Sequence, residues 1–335
     1  MTKKRCPGCG SLIQSSDSNE LGYVPDNTAK KAKYCQRCFK IIHYNESLVV
    51  KNPPLTKKII DVVNKKGFLA FFLVDFLNIN KETLEVFKSI KISKCLVISK
   101  FDIIPRSIGE HNIKNWLKIE YEITDEIIFV SAERSYNVSA IEKMMDKYLV
   151  DSAYLLGFTN AGKSSLINAI YKNRQKKESP ITVSSLPNTT IDFINLNIGD
   201  GLTLTDSPGL HLNKTMFTDD DIDLVRRINS KAYLRPITYQ MKFDESIILE
   251  NKYRFEYKAD DKNSFTFYMS DAIELDKIFL NNNSLKDKPS LELDIPRDTD
   301  LIIKGIGFIN IKNECKLKVY SDFLEIIELR KSIFK

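Results

Sequence analysis

At 335 residues, the chain is long enough for two or three domains, and its 43% hydrophobic and 28% charged composition is that of a soluble globular protein. The longest apolar run, Gly67 to Val74, stops at Asp75, well short of the ~18–20 residues a membrane span needs, so no membrane association is expected. The basic start Met1-Thr2-Lys3-Lys4-Arg5-Cys6 has no apolar stretch behind it. No secretory signal is therefore expected, and a reducing, cytoplasmic setting is. The net charge of +6 is uneven: residues 1–58 hold eleven Lys/Arg against four acids, or +7, which leaves −1 for the rest. A basic segment beside a near-neutral remainder favours a polyanion partner.

That segment also carries four of the six cysteines, as Cys6-Pro7-Gly8-Cys9 and Cys35-Gln36-Arg37-Cys38. Two C-x2-C pairs in a reducing compartment predict a tetrahedral zinc held by four thiolates, a closed structural site with no catalysis. The competing reading is a pair of disulfides. His43 is read as a surface or RNA-facing residue, since four thiolates complete the shell. Residues 1–50 are thus expected to form a small zinc module whose folding depends on the metal. The remaining cysteines, Cys95 and Cys315, sit in strand-like contexts and are expected to be buried.

Asn52-Pro53-Pro54 punctuates the chain. Beyond it, apolar runs end in polar motifs: Phe68 to Val74 before Asp75, Lys94 to Ile98 before Ser99-Lys100-Phe101-Asp102, and Ile127 to Val130 before Ser131-Ala132-Glu133. Helical patterning separates them, at Leu84 to Ile90, Ile113 to Tyr121 and Val138 to Leu149. Alternation of this kind predicts a mostly parallel sheet with helices on both faces, and ligands beyond the carboxyl ends of its strands.

Gly157-Phe158-Thr159-Asn160-Ala161-Gly162-Lys163-Ser164-Ser165 fits G-x-x-x-x-G-K-[ST], between the buried strand Ala153 to Leu156 and the helix Leu166 to Ile170. In that setting the motif predicts a phosphate-binding loop, with backbone N–H groups and a helix N-terminus facing the anion. Lys163 would reach the β- and γ-phosphates and Ser164 would ligate Mg²⁺. A turn-rich stretch, Ser184 to Thr190, then precedes the hairpin Ile191 to Ile198 and Leu202 to Thr205, which delivers Asp206-Ser207-Pro208-Gly209. Asp206 would hold Mg²⁺ through water and the Gly209 N–H would meet the γ-phosphate. These elements place a nucleotide domain at 51–218. From about 219 to 335 alternation dominates and predicts a separate β-rich domain. Its Phe265-Thr266-Phe267-Tyr268-Met269 run could stack bases, but interleaved aromatics in strands are more often core.

Ser99-Lys100-Phe101-Asp102 departs by one residue from the guanine-reading Asn-Lys-x-Asp. A carboxylate at Asp102 would accept from N1–H and N2–H2 of guanine, which adenine does not offer in that arrangement. The Lys100 stem would lie over the base, and Ser131-Ala132 would present backbone N–H to O6. Base-reading elements at 99–102 and 131–133 precede the phosphate loop at 157–164, Thr190 and 206–209. This order resembles that of the circularly permuted GTPases, and the N-terminal cysteine pairs resemble the YqeH type, bacterial ribosome-assembly GTPases. The resemblance implies a treble-clef zinc module, a permuted P-loop GTPase fold and a C-terminal domain contacting rRNA or the ribosome. It further implies GTP and GDP as ligands and a role in small (30S) ribosomal subunit assembly. Thr190 would join Ser164 and Asp206 at Mg²⁺. The chain is expected to be monomeric.

Departures from the family carry information. Ser99 stands for Asn, and Asn188 stands where Gly tends to precede the Thr-Thr pair. Leu210 follows Gly209 where Ras-like proteins carry a water-orienting Gln, so slow intrinsic hydrolysis is expected. Asn160 resembles the Asn of GTPases in which bound K⁺ stands in for an arginine finger, and a loop-stabilising role is the alternative. A nucleic-acid-binding scaffold with a static nucleotide site, an ATPase, and an organellar homologue are the competing readings.

Overall fold

The structure, a computed structural model, describes residues 12–16, 22–26, 32, 35–36, 56–105, 108–175, 183–185, 193–210, 227–228, 235–279 and 282–334. By internal packing the chain forms two compact units, one of residues 1–75, 85–102 and 125–211, the other of residues 76–84, 103–124 and 212–335. The units therefore interleave along the chain, where the sequence had suggested consecutive domains.

The first unit is built on a seven-stranded sheet in the order β3-β2-β1-β4-β7-β6-β5. Its strands are β1 (Leu69–Asp75), β2 (Ser93–Ser99), β3 (Glu126–Phe129), β4 (Ser152–Gly157), β5 (Val183–Ser185), β6 (Ile194–Gly199) and β7 (Leu202–Asp206). β1, β2, β3, β4 and β7 run parallel, and β6 and β5 continue the sheet antiparallel. β1 is buried at every position, as a continuous apolar strand between two parallel neighbours must be. Helices cover both faces. α1 (Thr56–Lys66) and α2 (Lys81–Ser89) lie side by side, with Asn64 of α1 bonding the Ser89 carbonyl and the Lys91 N–H at 3.1 and 2.7 Å. Phe87 of α2 meets Phe72 of β1 at 5.8 Å between ring centres. On the opposite face Leu69, Phe71 and Leu73 join the core made by Ile141 and Met145 of α4 (Ala140–Lys147) and Leu166 and Ile170 of α5 (Lys163–Gln175). Cys95 is buried in that core. No described helix is long and apolar enough to cross a membrane.

The second unit carries ten described strands in two antiparallel five-stranded sheets, ordered β12-β9-β10-β16-β13 and β17-β14-β15-β11-β8. They are β8 (Ile237–Met241), β9 (Ser246–Leu249), β10 (Tyr253–Tyr257), β11 (Asn263–Tyr268), β12 (Leu275–Ile278), β13 (Ser290–Ile295), β14 (Thr299–Ile303), β15 (Gly307–Ile311), β16 (Cys315–Tyr320) and β17 (Ile327–Lys331). Alternate residues of both sheets make one core, including Tyr253, Phe255, Phe265, Phe267, Leu301, Ile309 and Cys315. Phe265 and Phe267 are thus core residues and offer no stacking surface. The apolar alternation from Leu301 to Ile311 folds as a hairpin rather than one strand. Gly307 is required there, because a Cβ would lie 2.3 Å from the Tyr268 carbonyl. α3 (Glu110–Tyr121) belongs to this unit.

Candidate nucleotide-binding site

From β1 the chain moves outward through β2 to β3, then returns to place β4 and β7 on the other side of β1. The carboxyl ends of β1 and β4 therefore flank a topological switch point, where open α/β sheets bind ligands. Asp75, Ser99, Gly157 and Asp206 are the last residues of β1, β2, β4 and β7. Residues scattered from 75 to 206 thus fall on one edge of the sheet.

The turn after β4 holds the phosphate-loop sequence. A Cβ on Gly157 would sit 2.7 Å from the Leu73 carbonyl and 3.1 Å from its Cβ, so only glycine lets β4 leave the sheet beside β1. Asn160 and Gly162 have left-handed φ of 65° and 96°, a conformation Asn tolerates and Gly adopts freely. The intrahelical ladder of α5 starts with Leu166 N–H donating to Gly162 O at 2.9 Å. Earlier N–H groups of a helix have no acceptor inside it and suit an anion.

Not every residue of the motif faces a ligand. Thr159 N–H donates to Leu210 O at 2.9 Å, and Ala161 N–H to Phe158 O at 3.1 Å. Both residues were expected to cradle phosphate, yet their N–H groups serve to shape the loop. The other residues of the motif, Asn160 and Gly162 to Ser165, are the candidates for contact with phosphate. Lys163 Nζ donates to Gly157 O at 3.0 Å, across the mouth of the loop. Burial lowers its pKa, and the Asp206 carboxylate acts in the opposite direction.

The loop after β7 runs along the phosphate loop. Ser207 N–H donates to Leu155 O at 3.1 Å and Leu210 N–H to Gly157 O at 3.0 Å, with a parallel bridge between Phe158 and Leu210. Gly209 lies against Thr159, whose methyl would be 2.9 Å from an added Cβ. Ser164 and Asp206, both half-buried, present oxygen donors of the kind Mg²⁺ takes. Leu210 is fully buried, so its side chain is turned away from any water at the phosphate. Thr190 and Asn188 lie outside the described residues.

On the base side, Ser99 Oγ donates to Ala161 O at 2.5 Å and tethers the end of β2 to the phosphate loop. Lys100, at a left-handed φ of 55°, pairs with Asp75 at 3.2 Å. Asp75 is 3% exposed and was not expected to take part; its place at the end of a buried central strand was the available signal. Asp102 sits half-buried in a 3-10 turn, Phe101–Ile103. Phe101 stacks on Tyr136 at 5.7 Å, and its N–H donates to Val130 O at 3.1 Å, joining the 99–102 and 131–136 loops. Ser131 N–H donates to Tyr136 O at 3.1 Å while Ser131 Oγ accepts from Arg134 N–H at 3.0 Å. Ser131 therefore shapes this loop.

Of the expected zinc ligands, Cys35 is described and buried, and Cys6, Cys9 and Cys38 lie outside the described residues. Among the described residues no cluster of three or more His, Cys, Asp or Glu could hold a metal.

The family described as 50S ribosome-binding GTPase matches residues 152–263. The uncharacterised protein YqeH of Bacillus subtilis is 27% identical, over 94% of this chain and 95% of its own length. NO-associated protein 1, chloroplastic/mitochondrial, of Arabidopsis thaliana is 24% identical over 81% of this chain and 54% of its own. An uncharacterised GTP-binding protein of Methanocaldococcus jannaschii is 26% identical over 46% of this chain and 41% of its own. The chain is thus similar to YqeH over nearly its whole length and to the ribosome-binding GTPase family over residues 152–263, and its fold is that of a P-loop GTPase in circularly permuted order, with the Ser99–Asp102 loop ahead of the phosphate loop.

Proposed function

We propose that this GTPase is a slow, Mg²⁺-dependent switch acting in ribosome biogenesis, on the small subunit, in the cytoplasm and as a monomer. The observation that supports it is the convergence of Asp75, Ser99, Asp102, Gly157 to Ser165 and Asp206 to Leu210 on one edge of the sheet. Mg²⁺ would be held by Ser164, Thr190 and Asp206, and when bound it supplies charge neutralisation at the transferred phosphoryl group. The chain's own contribution is positioning and electrostatics. Lys163 brings an ammonium to the phosphates, N–H groups of Asn160 and of Gly162 to Ser165 bind their oxygens, and the Gly209 N–H meets the γ-phosphate. Asp102, the Lys100 stem and Ala132 N–H select and orient guanine. Nothing at Leu210 can orient water, which suits a timing device better than a fast hydrolase. Asn160, exposed at the loop tip, would ligate a K⁺ that stimulates turnover; equal rates in Na⁺ and K⁺ buffers would sink that part.

Zinc at Cys6, Cys9, Cys35 and Cys38 would fold the first 50 residues, since four thiolates suit a soft tetrahedral ion. Charge favours this end for rRNA: residues 1–58 carry +7, whereas residues 219–335 hold 20 Lys/Arg against 22 acids. Co-sedimentation with isolated ribosomal subunits tests the function. Binding to small subunits with a non-hydrolysable GTP analogue, lost with GDP and in Lys163→Ala, supports it. Binding indifferent to nucleotide, or directed to large subunits, contradicts it.

A further inference from the structure

The two segments that leave the base side of the nucleotide site belong to the compact unit of the C-terminal sheets. Residues 76–84 begin one residue after Asp75, and residues 103–124 begin one residue after Asp102. Within that unit one buried side chain that touches both is Arg330. Arg330 of β17 donates through Nη1 to the Ile79 carbonyl, and its guanidinium lies 5.0 Å from the centre of the Trp116 ring on α3. The other face of the cation is covered by Phe308 of β15 at 4.5 Å. Its Nε donates to Asp300 Oδ2 at 3.1 Å, with both side chains at most 3% exposed. Asp300 is itself held by Asn310 Nδ2 at 2.9 Å.

Lesser ties surround this contact. Gly305 N–H donates to Asn78 Oδ1 at 2.9 Å, Lys81 N–H to Glu328 Oε1 at 2.8 Å, and Lys304 pairs with Glu82 at 3.2 Å. Trp116 Nε1 donates to Lys331 O at 3.0 Å, and Lys331 pairs with Glu120 at 3.3 Å. The neighbourhood is dry enough that burial pushes the Tyr121 hydroxyl up to about 12.

A buried ion pair is a poor way to gain stability, because desolvation consumes most of the attraction, and apolar residues of similar volume often do as well. What Arg330 supplies instead is registration: a planar cation with fixed donor directions that stacks on rings fixes two chain segments at once. Both segments continue directly from carboxylates at the base. We propose that Arg330 is a positioning residue for guanine recognition, setting through residues 79 and 116 the loops that carry Asp75 and Asp102. The C-terminal sheets then act on the base end of the nucleotide. By linkage, whatever binds those sheets differently in the two loop settings alters guanine-nucleotide affinity, and the nucleotide alters its binding in return.

The proposal rests on Asp102 reading guanine, and the test separates the two. Inosine lacks the exocyclic N2 amine of guanine, so the ratio of GDP to IDP affinity reports how well the Asp102 carboxylate is placed. Competition binding on the full chain should give the wild type a preference for GDP of about 10-fold or more, the worth of one charge-assisted hydrogen bond. In Arg330→Met, GDP affinity falls while IDP affinity falls much less, so the ratio contracts toward one. Arg330→Lys, which keeps a charge for Asp300 but loses the planar face over Trp116 and the fixed pair of donors, restores little of it. If GDP and IDP weaken equally in Arg330→Met, or only the melting temperature drops, the role is structural and the proposal is overturned. Should Arg330→Met fail to fold, Trp116→Leu removes the ring under the cation while Arg330 keeps its bonds to the Ile79 carbonyl and Asp300. A contracted ratio in that variant supports the proposal and an unchanged one overturns it. A wild type with no preference for GDP overturns the Asp102 reading and the proposal with it, whereas a preference that Arg330→Met retains overturns the proposal alone.

Discussion

Replacing Leu210 by Gln is the substitution that likeness to Ras-type proteins would suggest for faster hydrolysis, and the structure predicts that it fails. Leu210 is 0% exposed. Its N–H and C=O are both engaged with the phosphate loop, at 3.0 and 2.9 Å, in a strand-like bridge that fixes the side-chain direction. A Gln amide at this position enters the apolar interior and cannot reach the phosphate edge. Loss of the buried leucine costs about 1.5–3 kcal/mol, and burying an amide without partners adds about 1–3 kcal/mol. Together they cost about 2.5–6 kcal/mol, a large share of the 5–15 kcal/mol typical of a folded protein. Thermal unfolding of the nucleotide-free protein and single-turnover GTP hydrolysis at saturating GTP measure the two consequences. Leu210→Gln should melt well below the wild type, with a rate unchanged or lower. A rate increase of 10-fold or more without loss of stability would refute this placement of Leu210.

Three further outcomes are expected. Gly157→Ala should destabilise the protein by about 1–3 kcal/mol and weaken GDP binding, because its Cβ meets the Leu73 backbone carbonyl at 2.7 Å and no side chain can move to relieve it; denaturant unfolding and GDP titration check both. Lys163 in the free protein has a pKa below its ordinary 10.5, while the phosphate-bound form holds the ammonium, so binding takes up a proton and affinity falls as pH rises from that lowered value. Lys163→Arg, which stays charged, should lack this alkaline fall in a GDP titration series, and an identical fall in both proteins would contradict it. Metal analysis of the purified chain should find one zinc per molecule, lost in Cys35→Ser, and an absence of zinc in the wild type would overturn the four-thiolate site.

Much of the first unit was legible because its signals are local. β1, β2, β3 and β4 are short apolar runs ending in polar motifs, and the turn after β4 announces itself in nine consecutive residues. What was not legible depends on pairs brought together by the sheet. Ser99 meets Ala161 across 62 positions and Lys100 meets Asp75 across 25, and neither pair has a sequence pattern. Nor does a motif reveal which of its own N–H groups are already spent, as those of Thr159 and Ala161 are. In the second unit, alternating strands such as β11 and β16 were visible, whereas β9, a four-residue apolar run, and β12, with a charged centre, carry too little periodicity. The inclusion of α3 in that unit is set by Trp116 and Lys331, 215 positions apart, a separation at which the sequence offers no local cue.

Guanine reading by Asp102 ahead of the phosphate loop is the central claim, and competition between GDP, ADP and XDP for wild type and Asp102→Asn tests it most directly. Asp102 accepts the guanine donors, whereas Asn offers an amide donor to the C2 oxygen of xanthine. Wild type should prefer GDP over ADP by at least about 100-fold, two charge-assisted hydrogen bonds' worth, and Asp102→Asn should lose GDP while gaining XDP. Comparable affinity of the wild type for ADP and GDP, or a guanine preference unchanged in Asp102→Asn, would contradict it.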